Sequence, residues 1–273
     1  MKIGYQGVPG AYSHKAAKKV FPKAVYTGFK TFDDLMQALK DKKIDRALIP
    51  IANSHAGRVY GVHNLIYEND LHIIGEFFLP VHHALIVNKD VYLKDVEKVF
   101  SHPQALSQAS NIIKENKWQS IIWSDTAESV KHLVESESKK SAAIASDLAA
   151  KIYGAKILKK NIENDKNNTT RFVVLSRRAV KCKKQKGVIT SIFYITKNIP
   201  AALYKSLGGF ASEGINLLNI ESFVPMKRNG RARFYLEFEG HPKDERVKRA
   251  LAELEFFSED LRILGTYKEV KHR

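Results

Sequence analysis

Short apolar runs alternate with stretches in which apolar residues recur every three or four positions, as far as residue 175 or so. The runs at Lys2–Gln6, Ala24–Phe29, Ala47–Ile51 and Leu71–Leu79 predict strands. So do His83–Val87, Lys98–Ser101, Ser120–Trp123, Ser141–Ala145 and Arg171–Ser176. Between them, Phe32, Leu35, Met36 and Leu39 recur at helical spacing. Thr31 with Asp34 forms a start resembling a capping box. Ser13 is placed to cap a helix running to Phe21, because a serine oxygen can take an orphan N–H at a helix start. Further helices are expected up to about Tyr67 and over Pro103–Glu115, Thr126–Glu137 and Asp147–Tyr153, with Pro103 suited to a first turn. Strand–helix alternation predicts parallel α/β sheets. Two such sheets in series predict a bilobal unit with ligand groups at the carboxyl ends of strands. The lobes expected are residues 1–80 with 171–178, and residues 81–170, which puts Thr170 at the hinge.

A lysine-rich segment at 179–187 breaks the pattern and reads as a linker. Residues 188–273 follow a different order: strand Val188–Thr196, helix Ala201–Glu213, strand Ile215–Met226, a turn at Arg228-Asn229-Gly230, strand Ala232–Glu239, helix Asp244–Phe257 and strand Leu261–Tyr267. That is βαββαβ, a ferredoxin-like unit.

Composition changes this picture little. The 273 residues are 44% hydrophobic and 27% charged, as in ordinary globular proteins. One cysteine, Cys182, excludes a disulfide framework and a cysteine-based zinc site. No apolar run approaches the ~20 residues of a membrane span, and the start MKIGYQGVPGAYSH has no apolar signal-peptide core. A cytoplasmic setting with no membrane partner is the expectation. The net charge of +16 raises the question of nucleic acid. The basic residues are spread out, however, and the densest run, Arg177 to Lys186, has no interleaved aromatics to stack bases. No nucleic-acid partner is expected, and the surplus charge could instead steer a small polyanion into a cleft.

Four segments at strand ends carry the candidate chemistry: Gly7–His14, Pro50–Val59, Ser101–Gln108 and Asn167–Phe172. Each is rich in hydroxyl, amide or glycine residues, and loops at strand ends are where binding groups gather. Thr170 offers a hydroxyl that can donate to a leaving oxygen. Arg171 offers a planar fork that suits a carboxylate, and a structural ion pair is its alternative. The histidines His55, His63, His82, His83 and His102 lack paired acidic spacing and read as hydrogen-bonded structural residues. His82 and His83 are adjacent, and adjacent strand residues face opposite ways, so they form no metal pair.

At these segments the chain resembles the prephenate dehydratase family over nearly its whole length. The matching pieces are GYQGVPGAYSHKAA (4–17), PIANSHAGRVYGVHNLI (50–66), SHPQALSQ (101–108), AAIASDLAAKIYG (142–154) and NTTRFVVLSR (168–177). PAALYKSLGGFASEGINLLNIES (200–222) and FYLEFEGHP (234–242) resemble the family's regulatory ACT domain. The resemblance implies a two-lobed catalytic domain over 1–178, similar to periplasmic binding proteins, followed by a ferredoxin-like ACT domain over 188–273. It implies loss of the ring carboxylate of prephenate as CO2 and of its hydroxyl as water, giving phenylpyruvate. Aromatisation drives the reaction, and neither cofactor nor metal is expected. Thr170 matches the family's catalytic threonine. Arg171, Asn53, Ser54, Ser13, Ser101, Gln108, Thr169 and Asn168 match its substrate-binding positions. Ala202, Leu203, Gly214, Asn216, Leu217, Glu221 and Ser222 match positions around a phenylalanine effector. A homodimer or homotetramer built through the ACT domain is implied as well.

There are departures. Ala52 stands where the family usually has glutamate, Ala201 where it has glycine, and Phe223-Val224 where it has arginine-proline, with Pro225 one place late. They put feedback by L-phenylalanine in question more than catalysis. Arogenate dehydratase shares every motif and stays open as an alternative, as does a sensor that binds without turnover. The chain opens directly on the first strand, so no chorismate mutase helices are expected ahead of it.

Overall fold

The computed structural model describes residues 1–223 and 231–270. Its elements in chain order are β1 (Lys2–Gln6), α1 (Tyr12–Val20), β2 (Val25–Phe29), α2 (Phe32–Lys40), β3 (Arg46–Asn53), β4 (Gly57–Arg58), α3 (Val62–Glu68) and β5 (His72–Pro80). Then come β6 (Ala84–Val87), β7 (Lys98–Ser101), α4 (Pro103–Gln108), α5 (Ser110–Glu115), β8 (Gln119–Ile122), α6 (Thr126–Glu135), β9 (Ser141–Ala145), α7 (Asp147–Tyr153), β10 (Lys156–Lys160) and β11 (Thr169–Ser176). The remainder is β12 (Val188–Thr196), α8 (Ala202–Ser212), β13 (Leu217–Phe223), β14 (Arg233–Glu239), α9 (Glu245–Phe256) and β15 (Ser258–Lys268). No described helix is long and apolar enough to cross a membrane.

The chain divides into two compact units, Met1–Val59 with Phe78–Phe172, and Tyr60–Phe77 with Val173–Arg273. One sheet has the order β2-β1-β3-β11-β5, with β4 paired to β3; the division between the units falls within β5 and within β11. A second sheet, within the first unit, has the order β10-β6-β9-β7-β8. It is mixed, not parallel throughout: β7 runs parallel to β8 and β9, but β6 is antiparallel to both β9 and β10.

Local chemistry explains several boundaries. Thr31 Oγ1 accepts the Asp34 N–H at 3.1 Å, so the expected cap of α2 forms. Ser13 does not cap α1. It lies inside the helix, and Ala11 stands at the cap position without a side-chain bond. The single helix expected over 103–115 breaks at Ala109, whose backbone (φ −113°, ψ 19°) leaves the helical region and separates α4 from α5. Gly10 is required where it stands. Its φ is +95°, and a Cβ there would lie 2.8 Å from Ala149 Cα. The Ser146 hydroxyl donates to the Gly10 carbonyl at 2.6 Å, which anchors this loop on the start of α7.

In the first unit, one core joins Leu85, Val99, Leu106, Ile112, Ile113 and Trp118, and a second joins Ile86, Val130, Leu133, Ala143 and Ala149. Each fully buried leucine or isoleucine contributes roughly 1.5–3 kcal/mol.

The second unit holds the expected βαββαβ order, with an antiparallel sheet β13-β14-β12-β15. Phe234, Leu236 and Phe238 of β14 face α8 and α9 and pack with Phe210, Val247 and Leu254. The alternate residues are buried too: Tyr235 is 0% and Glu237 1% exposed. His63 of α3 stacks on the Tyr235 ring with centroids 3.6 Å apart and contacts the Glu221 carboxylate at 3.2 Å. The expected turn at Arg228-Asn229-Gly230 and the Val224–Pro225 departure lie outside the described residues.

Candidate active site

The first unit contains a cavity of about 240 Å³ at the ends of β3 and β5 and the starts of β11, α1, α4 and α6. Asn53, Gln108, Asn168 and Thr170 all line it. Asn53 sets the direction of every hydrogen bond among them. Its Oδ1 accepts the backbone N–H groups of His55 (3.0 Å) and Ala56 (2.9 Å), which only an oxygen can do. Its Nδ2 therefore donates, to Asn168 Oδ1 at 2.7 Å, Thr170 Oγ1 at 3.0 Å and the Thr169 carbonyl at 3.2 Å. Asn168, only 1% exposed, then has its Nδ2 left to donate to Gln108 Oε1 at 3.0 Å. Two consequences follow. Thr170 Oγ1 is an acceptor inside the network, so its own proton is left for donation into the cavity. Gln108 Oε1 is occupied, so its NH2 group is left for the cavity as well.

Tyr12, Arg58, His83, His102, Gln104 and Thr126 also line the cavity, and the sequence reading named none of them as site residues. Arg58 sits on β4, directly across the ladder from Ala52. It brings a fixed positive charge to the cavity lining. Its signal in the sequence was its place in the Pro50–Val59 segment; the strand that carries it, β4, is two residues long and was not predicted. His83 Nε2 lies 2.8 Å from Gln108 Oε1, and His83 Nδ1 lies 2.6 Å from the Tyr12 hydroxyl. Glu163 supports this pair, accepting the His83 backbone N–H at 2.8 Å and contacting His82 Nδ1 at 2.7 Å.

Burial favours the neutral forms of Tyr12 and His83. Burial raises the Tyr12 phenol well above its ordinary value, and the Glu163, Asp147 and Asp125 carboxylates add to this. Burial lowers the His83 imidazole; the Gln108 hydrogen bond and the Glu163 charge offset only part of it. Burial also pushes the Glu163 carboxyl up, but the His82 side chain and the His83 N–H outweigh it and hold it below its usual range.

The remaining expected residues lie elsewhere. Ser54 stitches the loop edge, accepting the Thr169 N–H at 3.0 Å and donating to the Asn167 carbonyl at 3.2 Å. Thr169 joins the same edge through its carbonyl, which accepts the Ser54 N–H at 2.9 Å. Ser101 is fully buried and donates to the Ile144 carbonyl at 2.6 Å, which ties β7 to β9. Ser13 is buried within α1. Arg171 follows Thr170 on β11, so the two point to opposite faces. Its guanidinium lies 5.8 Å from the Phe78 ring centroid. None of these five is among the described residues that line the cavity.

A family model for prephenate dehydratase matches residues 3–180, more than half of the chain. The chain belongs to the prephenate dehydratase family. It is therefore an enzyme of the lyase type. Arogenate dehydratase/prephenate dehydratase 2 of Arabidopsis thaliana is 37% identical, over 98% of this chain and 72% of that protein. A Komagataeibacter europaeus protein named bifunctional N-acyl-homoserine lactone acylase/prephenate dehydratase is 38% identical, over 97% of this chain and 95% of its own length. Among solved structures, GqqA, described as a quorum-quenching acylase, superposes with a TM-score of 0.94 at 36% identity, covering 99% of this chain and 98% of that one. Prephenate dehydratase of Arthrobacter aurescens in complex with L-Phe gives 0.88 at 26% identity, covering 98% and 90%.

Proposed function

We propose that this protein converts prephenate to phenylpyruvate. The observation that carries the reading is the directed network that leaves the Thr170 proton and the Gln108 NH2 group as donors in one cavity. Prephenate carries two carboxylates and a ring hydroxyl. As the bond to the ring carboxylate breaks, its electron pair enters the ring and hydroxide leaves; with one proton taken up, the products are phenylpyruvate, CO2 and water. Thr170 donates a hydrogen bond to the departing oxygen. A neutral hydroxyl is a weak acid, so its contribution is position and charge stabilisation. Arg58, lining the same cavity, receives a substrate carboxylate. That is the part the sequence pattern had suggested for Arg171.

Arogenate is the second substrate to test, since similar plant proteins are named for it. An acylase reaction by way of a threonine nucleophile, suggested by the names of GqqA and the Komagataeibacter europaeus protein, gets less support from this geometry. Asn53 donates to Thr170 Oγ1, and an amide N–H cannot take the proton that a nucleophilic threonine must give up.

The βαββαβ region is proposed to be an ACT domain that assembles homodimers or homotetramers and binds L-phenylalanine. Ala202 and Leu203 open α8, Gly214 (φ +61°) turns the chain out of it, and Leu217, Glu221 and Ser222 lie on β13. Asn216 donates to Glu239 at 3.2 Å. Ala201 adopts φ +57°, a conformation that favours the glycine of the family pattern.

Purified protein is assayed for phenylpyruvate from prephenate, with arogenate and N-acyl-homoserine lactone in parallel, each with and without L-phenylalanine. Rapid prephenate turnover suppressed by L-phenylalanine is the expected result. Turnover of arogenate alone would move the assignment, and turnover of neither dicarboxylate would overturn it.

A further inference from the structure

His83 takes no direct part in the chemistry above, yet it is 2% exposed and touches the network at its end. The chain of hydrogen bonds fixes which of its nitrogens carries the proton. Backbone N–H groups of His55 and Ala56 orient Asn53; Asn53 orients Asn168; Asn168 donates to Gln108 Oε1. An oxygen that already accepts from Asn168 can hold only a donor at its second contact, so His83 Nε2 carries hydrogen at 2.8 Å. In the neutral ring Nδ1 is then a bare acceptor, and the Tyr12 hydroxyl at 2.6 Å donates to it. The His82 carbonyl, 3.0 Å from the same hydroxyl, is its alternative acceptor.

We propose that His83, held in its Nε2–H form by Tyr12 and seated by Glu163, is a positioning residue of the dehydration: it pins Gln108 Oε1 so that the Gln108 NH2 faces the cavity beside Thr170. The proposal rests on the dehydratase reading above. Without this donor, Oε1 keeps only Asn168, and the amide can rotate to turn its NH2 away from the cavity. The groups around the imidazole agree on the neutral form. Tyr12 is a neutral phenol, Gln108 is uncharged, and burial keeps the ring below its usual protonation range despite the Glu163 carboxylate. This separates His83 from the chain's other buried histidines: His14, for example, accepts the Gly10 N–H through Nδ1 at 3.1 Å and anchors a turn.

Two measurements on the 273-residue chain test this. Imidazole 15N spectra of histidine-labelled protein at pH 7.5, with His83 assigned by its loss in His83→Gln, read the tautomer without substrate. A protonated Nε2 and a bare Nδ1 are expected. The reverse tautomer would overturn the proposal. Steady-state kinetics on prephenate then compares His83→Leu, which removes the donor, with His83→Gln, which can restore one. His83→Leu is expected to lower kcat by roughly 10- to 100-fold with KM changed less than about threefold, as misplacing a reacting group does, and His83→Gln to recover most of that loss. Tyr12→Phe, which keeps the ring and loses only the hydroxyl, is expected to give a smaller fall in kcat. Wild-type kcat in His83→Leu would overturn the proposal alone. A wild-type protein inactive on prephenate while showing the expected tautomer would mean that the underlying reading had failed, taking the proposal with it.

Discussion

Two buried polar networks in this protein are built on opposite plans. In the first unit, Asn53, Asn168, Gln108 and Thr170 are neutral, and each bond among them has a fixed direction that leaves donors facing a cavity. In the second unit, Glu237 is a buried carboxylate on which three hydroxyls converge: Tyr235 at 2.6 Å, Tyr267 at 2.9 Å and Ser191 at 3.3 Å donate to its Oε1. The hydroxyls of this second network also crowd one another, those of Ser191 and Tyr267 lying 2.8 Å apart. Donors gathered on one buried carboxylate hold structure. An open, directed network presents groups to something else. Burial alone does not separate the two, since Asn168 and Glu237 are each 1% exposed.

The sharpest way to break the first network is Asn53→Asp, which changes shape hardly at all. A carboxylate oxygen would then face three oxygens that now accept from Nδ2. It would draw the Thr170 proton out of the cavity. Loss of kcat by about 10²–10³ is expected, the scale of removing a transition-state donor. An isosteric variant with full activity would mean that the network's direction is irrelevant. The contrasting change, Glu237→Ala, should leave the cavity chemistry alone and cost about 2–4 kcal/mol of stability, from orphaned hydroxyls and lost packing. Urea unfolding followed by tyrosine fluorescence reads it, and an unchanged midpoint would remove the Glu237 network from the stability account. Arg58→Gln tests whether the open network has a charged companion. KM for prephenate should rise about tenfold with kcat nearly constant, as losing a charge-assisted bond predicts; constant KM would send the carboxylate elsewhere. The smallest effect is expected at Ala201→Gly. Relief of the left-handed backbone should raise stability by about 0.5–1 kcal/mol, visible as a higher melting temperature, and a lower one would show that the alanine methyl packs favourably.

What the sequence made legible follows the range of the interaction. The Thr31 cap, the β12–β15 order and the apolar face of α2 are local patterns, and they stand in the structure as read. Thr170, Asn53, Gln108 and Asn168 were found through motifs, and they do line one cavity. Tyr12 and His83 were missed because their contact spans 71 positions, and that between His83 and Gln108 spans 25. A histidine without local acidic spacing looks inert until the partner strand is known. Arg171 was assigned to a carboxylate by its place next to Thr170, and Arg58 was not singled out. Strand alternation sends adjacent side chains to opposite faces, and the same rule could have warned against pairing them. His63 of α3, stacked on Tyr235 of β14, was likewise invisible to a local pattern, because α3 lies far upstream of the ferredoxin-like region.

The central claim is that Thr170 delivers a hydrogen bond, not merely bulk, to the departing oxygen. Single-turnover decay of prephenate in the wild type, Thr170→Ser and Thr170→Ala, with prephenate binding measured alongside, tests it most directly. The account predicts that serine, which keeps the hydroxyl, stays within about tenfold of wild type, while alanine loses about 10²–10³ in rate with binding little changed. Equal rates in Thr170→Ala and the wild type would contradict it.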